Sequence, residues 1–254
     1  ISFSTAPHYQ YGFGPLLAGF KVVPFGDISA LQAAITPHTA AILLEPIQGE
    51  GGLVVPPAGY LQQVRTLCTQ NNVLMLLDEI QSGLGRTGKM FAFEHEGARP
   101  DGLILGKALG GGLLPVSAFC ADEKVMQVFD DGSHGSTFGG NPLAAAVGLE
   151  ALNTIEDEGL AANSATLGAE LLATMQDLKT PVLKDVRGRG LWVGLEINPT
   201  YANPHQLCLK LLDRGILTKD TRGNVIRLAP PLVITRAQLH SAIKTLTAVL
   251  KHGG

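Results

Sequence analysis

The chain has 254 residues, 45% hydrophobic and 16% charged, enough apolar material for a sizeable core and for two domains. A formal net charge of −3 supplies no field for nucleic acid or an anionic membrane surface, and no apolar run reaches the length of a membrane span. The three cysteines, Cys68, Cys120 and Cys208, lack metal-ligand spacing and read as reduced thiols of a cytoplasmic protein.

The chain opens on Ile1-Ser2-Phe3-Ser4-Thr5 without an initiator methionine, and the expectation is a segment trimmed from a longer chain. Residues 41–44 form the first buried-strand pattern and lead into Glu45-Pro46-Ile47-Gln48-Gly49-Glu50-Gly51-Gly52, a tight loop with two carboxylates. Residues 57–70 have helical spacing, with Tyr60, Leu61, Val64 and Leu67 on one face. Apolar runs follow at 73–77, 102–105 and 116–120. Continuous apolar strands alternating with helices predict a parallel sheet covered on both faces. Beyond Pro142 the texture changes to two long helical stretches, 143–158 and 161–178. Strands are predicted at 182–186, 190–197 and 224–229, with helices at 204–213 and 236–251. The expected fold class is α/β, a mostly parallel sheet sandwiched by helices in residues 1–150, with a smaller α+β domain in residues 151–254.

Two strand ends carry the chemistry. The run 73–77 ends in Asp78-Glu79-Ile80-Gln81, and the run 102–105 ends in Gly106-Lys107-Ala108-Leu109-Gly110-Gly111-Gly112. In such sheets ligands bind outside the carboxyl ends of the strands, so Glu45, Asp78 and Lys107 are expected to converge. A lysine and an aspartate so placed are the pair that pyridoxal phosphate needs: an amine for its aldehyde and a carboxylate for its pyridinium nitrogen. The bland alternatives are a solvated lysine and an aspartate capping a helix that starts near Glu79. Glycines flanking Lys107 let the backbone pass close to a flat ligand, which favours the functional reading.

Weaker signals surround this pair. Gln81, one turn on, could donate to the cofactor's phenolic oxygen. The stretch Gly83-Leu84-Gly85-Arg86-Thr87-Gly88 superficially matches a dinucleotide fingerprint, but it follows a helical turn rather than a strand and is set aside. Gly135-Ser136-Thr137-Phe138-Gly139-Gly140-Asn141-Pro142 is read as opening a helix, where hydroxyls and free N–H groups bind phosphate. Arg227, inside an apolar stretch, needs a counter-ion or an anionic ligand if buried. His134 lies beside the Ser-Thr loop and reads as structural.

The segment 76–107, "LLDEIQSGLGRTGKMFAFEHEGARPDGLILGK", together with the motifs above, resembles the class III (subgroup II, fold type I) pyridoxal-phosphate aminotransferases. The resemblance runs from about Gly12 to the last helix. Residues 132–142 and 226–234 most resemble the ornithine-using branch, with the acetylornithine, putrescine and 4-aminobutyrate branches as near neighbours. It implies that Lys107 anchors pyridoxal 5'-phosphate and moves the proton, and that Asp78 pairs with the ring nitrogen while Gln81 contacts the phenolic oxygen. It further implies that Ser136 and Thr137 bind the phosphate in the neighbouring subunit of a homodimer. Arg227 would bind the substrate carboxylate, with Glu50 as its partner when that carboxylate is absent. The amino-acid and 2-oxo-acid substrates are small molecules. The family's glycine-rich phosphate loop, stacking aromatic residue and second carboxylate-binding arginine have no counterpart here, which leaves a non-catalytic dimerisation or binding module as the alternative of another class.

Overall fold

The structure is a computed structural model and describes residues 1–252. The first sheet is built from β1 (Ala41–Leu44), β2 (Leu74–Asp78), β3 (Gly102–Leu105) and β4 (Ala118–Ala121), in that order. The first three are parallel and β4 runs antiparallel to β3, so the sheet is mixed rather than parallel throughout. An apolar run has the same composition in either direction, which is why the orientation of β4 is not visible in the sequence.

Helix α3 (Tyr60–Asn71) turns Tyr60, Leu61, Val64, Leu67 and Cys68 onto one face of this sheet, where they meet Ile42, Val73, Met75 and Leu77. Its N-terminus is capped from a distance: the Glu96 carboxylate accepts from the N–H groups of Gly59, Leu61 and Gln62. Four donors at a helix start lack intrahelical partners, and a carboxylate there also complements the helix dipole. Two short helices, α1 (Pro7–Gln10) and α2 (Ile28–Ala34), precede the sheet and were not legible as elements. The other face is less covered than the pattern predicts, with Leu43 42% and Phe119 38% exposed.

After the single-turn α4 (Glu123–Met126) come α5 (Pro142–Asp157) and α6 (Leu160–Asp177), separated by Gly159 in a left-handed conformation. The α5 N-cap is Asn141, whose side chain accepts from Ala144 N–H, with Pro142 in the first turn. The second sheet, β5 (Leu183–Gly188), β6 (Val193–Ile197), β7 (Lys219–Thr221) and β8 (Val225–Leu228), is antiparallel in the order β5-β6-β8-β7. Helices α6, α7 (Pro204–Leu212) and α8 (Arg236–His252) complete its core, in which Leu171, Met175, Leu195, Ile197, Leu211, Ile226 and Val249 are buried. The strand expected from 190 starts at Val193 because Gly188 and Gly190 turn the chain first. Strand β7 escaped notice because it is three polar residues on a sheet edge. Among the described residues no helix is long and apolar enough to cross a membrane.

The close approach of α6 to the 188–190 turn depends on one glycine. An ideal Cβ on Gly168 would lie 2.0 Å from the Gly190 carbonyl carbon. Gly168→Ala is expected to destabilise the fold by about 2–3 kcal/mol through overpacking of backbone that cannot step aside, measured as a lower denaturant midpoint at unchanged slope.

Candidate active site

Parallel pairing aligns Leu44 with Leu77 and Asp78 with Ile104, so the chain leaves β1, β2 and β3 at the same edge. Three polar side chains emerge there. Glu45 Oε2 accepts from Gly49 N–H at 3.0 Å, which closes the loop after β1. Burial raises the Glu45 pKa; the Gly49 N–H opposes this, Asp78 adds to it, and Lys107 again opposes it. Asp78 Oδ1 accepts from Ile80 N–H at 3.0 Å, leaving Oδ2 for another donor. Residues 80–87 form turns, so the helix from near Glu79 of the bland alternative is absent and Asp78 caps only its own turn.

Lys107 leaves β3 with φ +46°, a left-handed conformation that costs a non-glycine residue on the order of 1 kcal/mol. The strained backbone is pinned from behind. The 3-10 turn Lys107–Gly110 closes with Leu109 N–H on Gly106 carbonyl at 3.0 Å, and Leu109 is buried with Ile155 of α5. Burial lowers the Lys107 pKa; Glu50 counteracts it, Arg227 reinforces it, and Glu45 and Asp78 counteract it in turn. The amine thus stands among two carboxylates at the strand ends and the Glu50–Arg227 ion pair, of which Glu50 acts on it most strongly.

That ion pair comes from β8. Arg227 Nη1 donates to Glu50 Oε1 at 2.6 Å and to Gln81 Oε1 at 3.2 Å. Lys219, directly across from Arg227 in the β7–β8 register, donates to Glu50 Oε2 at 3.2 Å. Burial opposes the Glu50 charge, but the hydrogen bonds and charges of Lys219 and Arg227 outweigh it and lower its pKa. With Glu50 56% exposed, these pairs hold loosely, worth at most about 1 kcal/mol each. The loop that carries Glu50 is docked on the second sheet by Arg187, which donates to Gly52 and Leu53 carbonyls at 2.9 and 2.8 Å. Gln81 packs on Gly49, where a Cβ would sit 2.5 Å from its Nε2.

Lys107, Asp78, Glu45, Glu50, Gln81 and Arg227 therefore come together, whereas Ser136 and Thr137 do not join them. Those two lie in an exposed loop ahead of α5 rather than at its start, and Ser136 Oγ accepts from Gly139 N–H at 3.0 Å. The helix begins at the Asn141-Pro142 signal instead. His134 is exposed and meets Phe129 edge-on at 6.1 Å. The donor set fits the ring side of pyridoxal phosphate: an amine with lowered pKa, a carboxylate with one oxygen to spare, and an amide. The described residues grouped here include no counterpart for its phosphate.

The comparisons give this arrangement a family. A class-III aminotransferase family model matches residues 1–250. The chain belongs to the class-III aminotransferases. Such enzymes depend in general on pyridoxal phosphate. This class-III chain is 54% identical over 250 residues to an ornithine aminotransferase of Exiguobacterium sp., covering 98% of itself and 62% of that relative. It is 50% identical over 252 residues to that of Bacillus subtilis, covering 99% of itself and 62% of the relative. The chain thus spans about 62% of the length of the curated relatives it matches. A solved Toxoplasma gondii ornithine aminotransferase, with partial pyridoxal phosphate occupancy, superposes at TM-score 0.96 and 43% identity, over 98% of this chain and 59% of that one. A solved Elizabethkingia anophelis acetylornithine aminotransferase superposes at 0.85 and 46% identity, over 90% of this chain and 61% of that one.

Sequence reasoning passed over three residues that shape the site. Lys219 sits in the short edge strand that was not recognised. Arg86, within the rejected glycine-rich stretch, donates to Leu191 and Pro230 carbonyls at 2.8 and 2.6 Å and so joins the turns after β2 to the β8 end. Burial, helped by the charge of Arg227, lowers its pKa to about 10. Glu79 is fully buried beneath Asp78, and its place directly after an inward aspartate on a strand was the available signal.

Burial pushes the Glu79 pKa up to about 7; the N–H groups of Ala92 and Phe93 and the Ser82 hydroxyl oppose it, and Glu94 adds to it. Between the model-peptide range and that value the folded chain binds a proton that the unfolded chain releases. Stability therefore falls as pH rises through this window, by up to about 1.4 kcal/mol per pH unit at the steepest. Denaturant titrations should show that slope between about pH 5 and 7, and Glu79→Gln should remove it.

Proposed function

We propose that the protein containing this chain is a pyridoxal-phosphate-dependent ornithine δ-aminotransferase. It moves the δ-amino group of ornithine to 2-oxoglutarate and gives glutamate-5-semialdehyde and glutamate. The observation that carries this reading is the Glu50–Arg227 pair standing beside Lys107 and Asp78. In this reading residues 1–150 form the cofactor-binding part and residues 151–254 a small α+β domain.

When bound, the cofactor supplies an electron sink that acidifies the hydrogen on the substrate's amine-bearing carbon. Asp78 keeps the ring nitrogen protonated, Gln81 steadies the phenolic oxygen, and Lys107 holds the aldehyde end. Once the substrate's amine has displaced it from the aldehyde end, the freed Lys107 Nζ, its pKa lowered by burial, would take the proton from the reacting carbon and later return it. Ser136 and Thr137, exposed on their loop, reach the phosphate held in a partner subunit, which makes a homodimer the working unit. The protein acts in the cytoplasm.

The pair explains how one site handles two amines. While Glu50 neutralises Arg227 at 2.6 Å, a carboxylate adjacent to the reacting carbon finds no free guanidinium, so the terminal amine of ornithine reacts. When Glu50 swings away, Arg227 binds the α-carboxylate of glutamate or 2-oxoglutarate in a charge-assisted fork. Glu50 retains Lys219 as a partner in that state.

A specific alternative is N-acetylornithine as donor, favoured by the likeness to the acetylornithine aminotransferase structure at 46% identity. Single-turnover spectra of the complete gene product, loaded with pyridoxal phosphate, separate the readings. Ornithine should bleach the visible cofactor band in competition with acetylornithine, putrescine and 4-aminobutyrate. Glu50→Ala should then shift the preference between ornithine and glutamate by about tenfold. Faster bleaching by acetylornithine would replace the donor, equal loss of both half-reactions would sink the gate, and no visible band would favour a binding module.

A further inference from the structure

Glu79 is buried and ionisable, and no step above uses it. It follows Asp78 at the end of β2, and alternation along a strand sends the two carboxylates to opposite faces. Asp78 goes toward Lys107 and Glu45, and Glu79 into the layer behind. There Oε2 accepts from Ala92 N–H at 2.7 Å and from Ser82 Oγ at 3.3 Å, and Oε1 accepts from Phe93 N–H at 2.9 Å. The Glu79 N–H donates to Ile104 carbonyl at 3.0 Å, and its carbonyl accepts from Gly83 N–H at 3.0 Å. A Cβ on Gly83 would sit 2.8 Å from that carbonyl oxygen, so the turn closes tightly around this one residue. Glu94 is the nearby charge that opposes it.

The consequence reaches the site through the next two residues. Asp78 Oδ1 depends on the N–H of Ile80, and the direction of that N–H is set by the peptide that joins Glu79 to Ile80. Gln81, one residue further, touches Arg227. Held only by backbone, this turn would have freedom to rotate the Ile80 N–H away. Held also by a carboxylate fixed to Ala92 and Phe93, it does not. We propose that Glu79 is a positioning residue that orients Asp78 and Gln81 by gripping the N–H groups of Ala92 and Phe93 from the opposite face of the sheet. The inference rests on the reading of Asp78 as partner of the cofactor ring.

Glu79→Gln tests it, because the amide keeps the size but turns one acceptor into a donor that opposes either the Ala92 or the Phe93 N–H group. Three quantities are measured on the complete gene product: amide exchange, equilibrium affinity for pyridoxal phosphate, and the split between kcat and KM for ornithine. Exchange should quicken about tenfold at residues 80–83 and 92–93, cofactor binding should weaken about tenfold, and kcat should fall with KM nearly constant. A variant that melts earlier yet binds the cofactor as tightly, with unchanged exchange at 80–83, would overturn the proposal and leave Glu79 a fold residue only. If Glu79→Gln does not fold, Glu79→Asp keeps the charge but shortens the reach to the Ala92 and Phe93 N–H groups and should weaken cofactor binding about threefold; unchanged binding there overturns it equally. Failure of the unsubstituted protein to bind pyridoxal phosphate would overturn the functional reading and this inference with it. Tight binding by the unsubstituted protein and equal binding by the variants would overturn the positioning claim alone.

Discussion

The parallel register of β1, β2 and β3 is the constraint on which the rest depends. Parallel strands release their chains at one edge, so Glu45, Asp78 and Lys107 meet although 62 residues separate the first from the last by number. The interior of the sheet must be apolar to be buried, and each strand turns polar only where it stops. A slip of one residue in β2 would exchange the faces of Asp78 and Glu79, sending the buried carboxylate into the site and the site carboxylate into the core. The five bonds around Glu79 therefore guard register as well as direction.

A second constraint is electrostatic. Glu45, Asp78 and Glu50 lie close enough to Lys107, Arg227 and Lys219 for the opposite charges to act on one another. The pairs differ in what they permit. Lys107 is held by backbone strain and packing rather than by a close ion pair, which leaves its amine free for chemistry. Arg227 is held by an exposed carboxylate that also has Lys219, which makes the pair easy to open. Arg86 and Arg187 tie the turns after β2 and the Glu50 loop to the second sheet through backbone carbonyls. Both ends of the site thus move with the frame.

How much of this was legible follows from where the information lies. The bounds of β1 and β3 match the apolar runs because their ends coincide with Glu45 and Gly106. The convergence of Lys107 with Asp78 was legible because strand ends in such sheets share an edge. The direction of β4 was not, since composition carries no sense of direction. The sequence left open a helix starting near Glu79 as the bland alternative, because the burial of Glu79, which holds the chain in a turn, is a tertiary effect. Ser136 and Thr137 were placed at a helix start that belongs to Asn141, although Asn-Pro is the stronger cap signal. Lys219 and Arg86 act through contacts with residues far away in sequence, and local pattern is silent about them.

The central claim is that Lys107 is the covalent anchor at this shared edge. Reduction of the cofactor-loaded protein with borohydride, followed by peptide mapping for the pyridoxyl adduct, tests it most directly. The account predicts one modified residue, Lys107. An adduct spread over surface lysines such as Lys21, Lys89 and Lys124, or centred on any other residue, would contradict it.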